Sequence, residues 1–121
     1  MLVTDYYKVE KVTCTDGVYT YLISLNKECA VYEGHFPGSP VSPGVCNIQM
    51  IKECAEDALG KSLFMNNLQL CRLTTLITPI SHPQVEVKVT IAEADGIYKL
   101  KGSIGMADET YLDLKAELIE K

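Results

Sequence analysis

Only one stretch of this chain carries a helical period. From Val45 to Leu59 the apolar residues Ile48, Ile51, Cys54, Ala55, Ala58 and Leu59 recur at three- and four-residue steps, and Gly60 supplies a stop. Elsewhere the pattern alternates every second residue. A lone amphipathic helix has no second helix to pack on, so its apolar stripe must be buried against a sheet. The expectation is therefore one α+β domain over residues 1–121, with a curled antiparallel sheet around a central helix.

The strands are read from the same logic. "KVEKVTCTDGVYTYLISL" alternates on both sides of Asp16-Gly17, a pair that tolerates the positive φ of a tight hairpin turn. "CAVYEG" is a further extended piece leading into a proline-rich loop. After Gly60, "LFMNNLQLCRLTTLI" is long and partly alternating, and it breaks at Pro79 and Pro83. "QVEVKVTIAEA" puts Val85, Val87, Val89 and Ile91 on one face, and Asp95-Gly96 turns it into "IYKLKGSIGMA". "TYLDLKAELIEK" suits a helix by composition at its end, but its alternation favours a strand.

Composition excludes several functions. With 47% apolar and 22% charged residues, the 121-residue chain can bury a core of its own. Its net charge of −5 and lack of a basic run argue against nucleic-acid binding. No window approaches about 18 continuous apolar residues and no apolar signal core opens the chain, so neither a membrane span nor secretion is expected. Five cysteines, Cys14, Cys29, Cys46, Cys54 and Cys71, include no Cys-x-x-Cys pair. They read as buried reduced thiols in the cytoplasm rather than as metal ligands.

The densest signal is "GHFPGSPVSPGV", residues 34 to 45, at the entrance to the helix. Gly34, Gly38 and Gly44 permit close backbone approach, while Pro37, Pro40 and Pro43 reduce the freedom of a loop that must hold one shape. Pro43 suits the first helical position, where a missing N–H costs nothing. Beyond it, the free N–H groups of the first turn can face a carbonyl oxygen that gains negative charge. His35 lies just upstream, and an imidazole suits proton transfer near neutral pH. Base, oxyanion site and rigid loop together fit chemistry next to a carbonyl. The same residues would also serve a plain turn in which His35 packs on Phe36.

The segment resembles the signature of the bacterial 3-hydroxyacyl-[acyl-carrier-protein] dehydratases, which have the hotdog fold. His35, Phe36, Pro37, Gly38, Pro40, Val41, Pro43, Gly44 and Val45 carry the likeness. It weakens downstream, where "CRLTTLITPI" stands in place of a strand with an arginine, an aromatic residue and a proline. The resemblance implies that His35 takes the proton α to a thioester carbonyl or handles the departing β-hydroxyl. It also implies backbone N–H groups at Gly44 and Val45 as the oxyanion site, with Phe36 and Pro43 beside the substrate. No metal or organic cofactor is implied. A helix carboxylate from the second subunit of a dimer would assist the leaving water.

By position that carboxylate should be residue 49, which is Gln49 here. An amide orients a hydroxyl but cannot donate a proton as a carboxylic acid does. The family commonly has a glutamine four residues further on, and here that residue is Glu53. The two side-chain types have changed places over one helical turn. Glu53 would then supply the carboxylate, directly, through Gln49 or through a water; alternatively, Glu53, Glu56 and Asp57 form a solvated helix face.

The remaining candidates are weaker. Asn47 would line the site or be a plain polar position, Arg72 reads as an exposed cross-strand charge, His82 as a surface histidine, and Cys46 as packing. The seven tyrosines read as core or pocket wall. The expected function is a 3-hydroxyacyl-thioester dehydratase acting on acyl-carrier-protein or coenzyme A substrates, as a homodimer, a higher homo-oligomer or a hetero-oligomer. An acidic chain meets an acidic carrier protein only through local basic residues, with Lys52, Lys61 and Arg72 as candidates. A hotdog acyl thioesterase and a non-catalytic acyl-carrier-binding subunit are the competing expectations.

Overall fold

The computed structural model describes residues 7–26, 44–75, 77–78, 82–106 and 109–120. The elements run β1 (Tyr7–Thr15), β2 (Val18–Leu25), α1 (Gly44–Leu59), β3 (Leu63–Leu73), β4 (Gln84–Ala94), β5 (Ile97–Met106) and β6 (Glu109–Glu120). All strand pairs are antiparallel and join one six-stranded sheet in the order β1-β2-β4-β5-β6-β3. The last segment is thus a strand throughout, because Tyr111, Leu112, Leu114, Ala116 and Leu118 must face the same core. The extended piece expected at "CAVYEG" lies outside the described residues.

Both hairpins form where expected. Asp16 and Gly17 have φ of 51° and 79°, and Asp95 and Gly96 have 54° and 80°, so both central residues of each turn are left-handed. At the end of α1, Gly60 takes φ 66° and the N–H groups of Gly60 and Lys61 both donate to the Glu56 carbonyl, closing the last turn.

The helix lies across the sheet and packs on β4, β5 and β3. Met50, Ile51 and Ala55 are fully buried against Val85, Val87, Val89, Leu100, Ile104, Leu114 and Leu118. Close approach depends on Gly102, which the register places between Val89 and Leu114. A Cβ there would lie 2.5 Å from Cγ2 of Ile51.

Two irregularities decide what the edge strands present. In β1, Glu10 is an extra residue between Val9, opposite Ile23, and Lys11, opposite Leu22. That bulge keeps Tyr7 and Val9 on the helix side together with Val12. In β3, register shifts between Met65 and Asn67 and between Leu68 and Leu70 accompany a strand whose outer edge pairs with nothing among the described residues. Leu68 stands opposite Ala116 and Leu73 opposite Leu112, on the helix side of the sheet, yet they are 43% and 45% exposed. The helix does not reach them.

Gly102→Ala is expected to destabilise the protein by about 1–3 kcal/mol, the usual penalty for overpacking a rigid core. Ile51 is β-branched and fully buried, so it has little room to yield. Urea unfolding of Gly102→Ala with and without Ile51→Ala checks this: the second change should recover part of the loss, and strict additivity would contradict the contact.

Candidate active site

His35, Phe36 and Pro43 lie outside the described residues. Gly44 is the first described residue of α1, and Val45 continues it. The part of the expected site that the structure describes is therefore the helix from Gly44 onward and the strands beside it.

Glu53 is only 5% exposed, which rules out the solvated-face reading for this residue. Its Oε1 accepts a hydrogen bond from the Tyr7 hydroxyl at 2.9 Å, and its Oε2 accepts one from Nε2 of Gln49 at 3.0 Å. A buried carboxylate is strongly disfavoured unless donors satisfy its oxygens, and these two do so. Because an ionised carboxylate only accepts, Gln49 must present its NH2 group, and its carboxamide oxygen is turned the other way. Gln49 and Glu53 line an open groove along the helix with Lys52, Glu56, Asp57, Gly60, Lys61 and Ser62.

The neighbouring acids are engaged as well. Glu56 accepts the Leu63 N–H at 2.8 Å and pairs with Lys52 at 3.7 Å, so it ties the helix to the start of β3. Asp57 is exposed but accepts the Tyr21 hydroxyl at 2.7 Å. Tyr7 and Tyr21, on adjacent strands, thus grip carboxylates one helical turn apart. Burial, followed for Tyr7 by the Cys54 thiol and for Tyr21 by its bond to Asp57, pushes both phenols well above their ordinary value. They stay protonated and remain donors. Burial also pushes the Cys54 thiol up to about 12, with Asp57 and Glu53 adding to the effect.

Asn47, in the first turns of α1, is 1% exposed, and its Oδ1 has no hydrogen-bond partner among the described residues. Cys46 is buried, as expected, whereas Cys14 and Cys71 are exposed and correct the reading of all the thiols as buried. No described cysteine is in a disulfide. His82 is not a free surface histidine: it is half-buried, its Nδ1 accepts the Thr78 N–H at 3.3 Å, and its ring meets Tyr111 at 4.7 Å. Arg72 is exposed and stands opposite Asp113, as expected of a cross-strand charge. Lys61 donates to the Tyr98 hydroxyl at 2.8 Å and pairs with Glu120 at 3.4 Å. Among the described residues no helix is long and apolar enough to cross a membrane.

Comparison with known proteins gives the family and the fold. The family model of the ApeI-like group, described as ApeI dehydratase, matches residues 11–109. The chain belongs to the ApeI-like dehydratase family. The 3-hydroxyacyl-[acyl-carrier-protein] dehydratase FabZ of Caulobacter sp. (strain K31) is 33% identical over 87 residues, covering 64% of this chain and 53% of that protein. This chain thus spans about half the length of that relative. The FabZ of Lactococcus lactis subsp. lactis (strain IL1403) is 26% identical over 115 residues, covering 88% of this chain and 70% of its own. Among solved structures, the dehydratase heterocomplex ApeI:P from Xenorhabdus doucetiae superposes with a TM-score of 0.73 at 16% identity, covering 93% of this chain and 96% of that one. The architecture of this ApeI-like chain is the hotdog fold.

Sequence reasoning found Gln49 and Glu53 but passed over Tyr7 as a partner of either. Tyr7 is 46 residues from Glu53, and only the β1 bulge aims it at the helix.

The buried acids make stability pH-dependent. Cys54 has an ordinary value of 9.0 and, when folded, keeps its proton up to about 12; the two tyrosines start from 10.0 and shift in the same direction. The unfolded chain loses these protons first, so their contribution is complete below pH 9 and is lost as pH rises above it. Urea midpoints measured across this range should fall, and the fall should be shallower in Cys54→Ala.

Proposed function

We infer that this chain is a 3-hydroxyacyl-thioester dehydratase that eliminates water to a trans-2-enoyl thioester. The whole chain, residues 1–121, acts as one catalytic domain. The observation that carries this reading is the buried Glu53 holding Gln49 at 3.0 Å, with the carboxamide oxygen turned away from it.

Gln49 cannot protonate a leaving group, so His35 serves both proton transfers. Its neutral imidazole removes the α proton, and the C–H electrons form the Cα=Cβ bond. The Cβ–O bond breaks, the hydroxyl takes the proton back from the imidazolium, and water leaves with no net change in the protein. The N–H groups of the helix start at Gly44 and Val45 polarise the thioester carbonyl, with Phe36 and Pro43 shaping the approach. Gln49 accepts a hydrogen bond from the β-hydroxyl through its carboxamide oxygen and orients the leaving oxygen, while Glu53 fixes the amide.

The substrate is an acyl-carrier-protein or coenzyme A thioester, and the reducing cytoplasm fits the free thiols. The unpaired β3 edge with Leu68 and Leu73 uncovered supports a dimer formed by a second copy along β3. A homologous subunit in that place is the second reading, and the name of the ApeI:P heterocomplex favours testing it.

Purified protein given 3-hydroxyacyl-carrier protein and the coenzyme A ester should release enoyl product. Free acid would indicate a thioesterase, and binding without turnover a non-catalytic subunit. His35→Asn should lower kcat by about 10²–10⁴-fold, the usual weight of general acid–base catalysis. Gln49→Leu should lower it by about 10²-fold through lost orientation.

Leu68→Lys/Leu73→Lys should convert the dimer to a monomer in light scattering. An unchanged mass would place the interface elsewhere.

A further inference from the structure

We propose that Tyr7 is a positioning residue, which sets the orientation of Gln49 through Glu53; this rests on the dehydratase reading and adds a residue to it. Two hydrogen bonds that meet on one carboxylate define the device. The Tyr7 hydroxyl donates to Oε1 of Glu53 at 2.9 Å, and the opposite carboxylate oxygen receives Nε2 of Gln49 at 3.0 Å. With its NH2 group given to Glu53, Gln49 has its carboxamide oxygen left as an acceptor, and the residue lines the groove.

The chain of donors has one direction. Tyr7 is 3% exposed, and burial together with the nearby Cys54, Glu53 and Asp57 keeps its phenol protonated. A phenol held neutral donates, so the carboxylate oxygen it meets stays an acceptor. The carboxylate has one plane, and fixing one oxygen on β1 fixes where the other points. Without Tyr7 the carboxylate loses its hydrogen bond to β1, and Gln49 loses the link to that strand which runs through Glu53. Tyr7 and Val9 share a face by simple alternation, and the bulge at Glu10 brings that face to the same side of the sheet as Val12.

The structure also contains its own control. Tyr21 on β2 donates to Asp57 at 2.7 Å, with the same donor, the same acceptor class and the same helix, one turn further on. Gln49 bonds to Glu53 and not to Asp57. A role confined to pinning the helix would make the two tyrosines equivalent, whereas a positioning role would separate them.

The experiment compares Tyr7→Phe, Tyr21→Phe, Glu53→Gln and the double variant Tyr7→Phe/Glu53→Gln in steady-state dehydration, at matched folded fraction. Tyr7→Phe should lower kcat about tenfold, the equivalent of one hydrogen bond, with KM unchanged. Tyr21→Phe should lose comparable stability but keep kcat. Glu53→Gln leaves one acceptor end where Tyr7 and Gln49 each donate to a carboxylate oxygen, so the two can no longer both be held and kcat should also fall, and the double variant should be no slower than the slower single one. Equal kcat in the two tyrosine variants, or multiplying effects in the double variant, would overturn the proposal. The 15N-resolved side-chain amide signals of Gln49 supply an arm that needs no turnover: Tyr7→Phe should shift them and Tyr21→Phe should not. If wild-type protein produces no enoyl thioester, the dehydratase reading fails while this arm still decides the positioning role. Unmoved amide signals overturn it whatever the activity.

Discussion

Everything in this fold follows from a single helix that has only a sheet to lie on. With no second helix among the described residues, α1 must bury Met50, Ile51 and Ala55 on β4, β5 and β3, and the sheet must curl to meet it. The absence of a side chain at Gly102 lets that approach become close enough for Ile51 to seat. The polar chemistry then sits on the remaining helix face, at the boundary between the core and the groove. Glu53 is buried at that boundary, where Tyr7 of β1 reaches it.

How much of this was legible in the sequence varies with the range of the interaction. The two Asp-Gly turns and the alternation of Val85, Val87 and Val89 are local, and the structure reproduces them. The loop-to-helix motif identified the family because many residue types stand at fixed spacing. Glu53 was ambiguous, since Glu53, Glu56 and Asp57 together have the composition of a wet surface, and only tertiary contact separates them. Tyr7 was hidden for the same reason, with a bulge added that breaks strict alternation. His82 was misread because a histidine between serine and proline gives no hint of Tyr111 beneath it.

The basic residues expected to meet an acidic carrier protein turn out to be partly committed. Lys52 serves Glu56, and Lys61 is shared between Tyr98 and Glu120, where the hydrogen bond to Tyr98 and then Glu120 raise its pKa. The Lys61–Glu120 pair is exposed enough to exchange partners, since a surface ion pair is worth about 0–1 kcal/mol, whereas Lys52 and Glu56 are largely covered. A carrier phosphate or carboxylate would therefore compete with internal acids for the same cations. That tempers the on-rate gain that free surface charge would give.

The Gln49–Glu53 bond also limits how the pair can vary. In this chain the amide comes first and the carboxylate one helical turn later. A carboxylate at position 49 would set acceptor against acceptor with like charge, whereas an amide at position 53 keeps one donor facing one acceptor. The bond across the turn therefore tolerates loss of the charge but not its duplication.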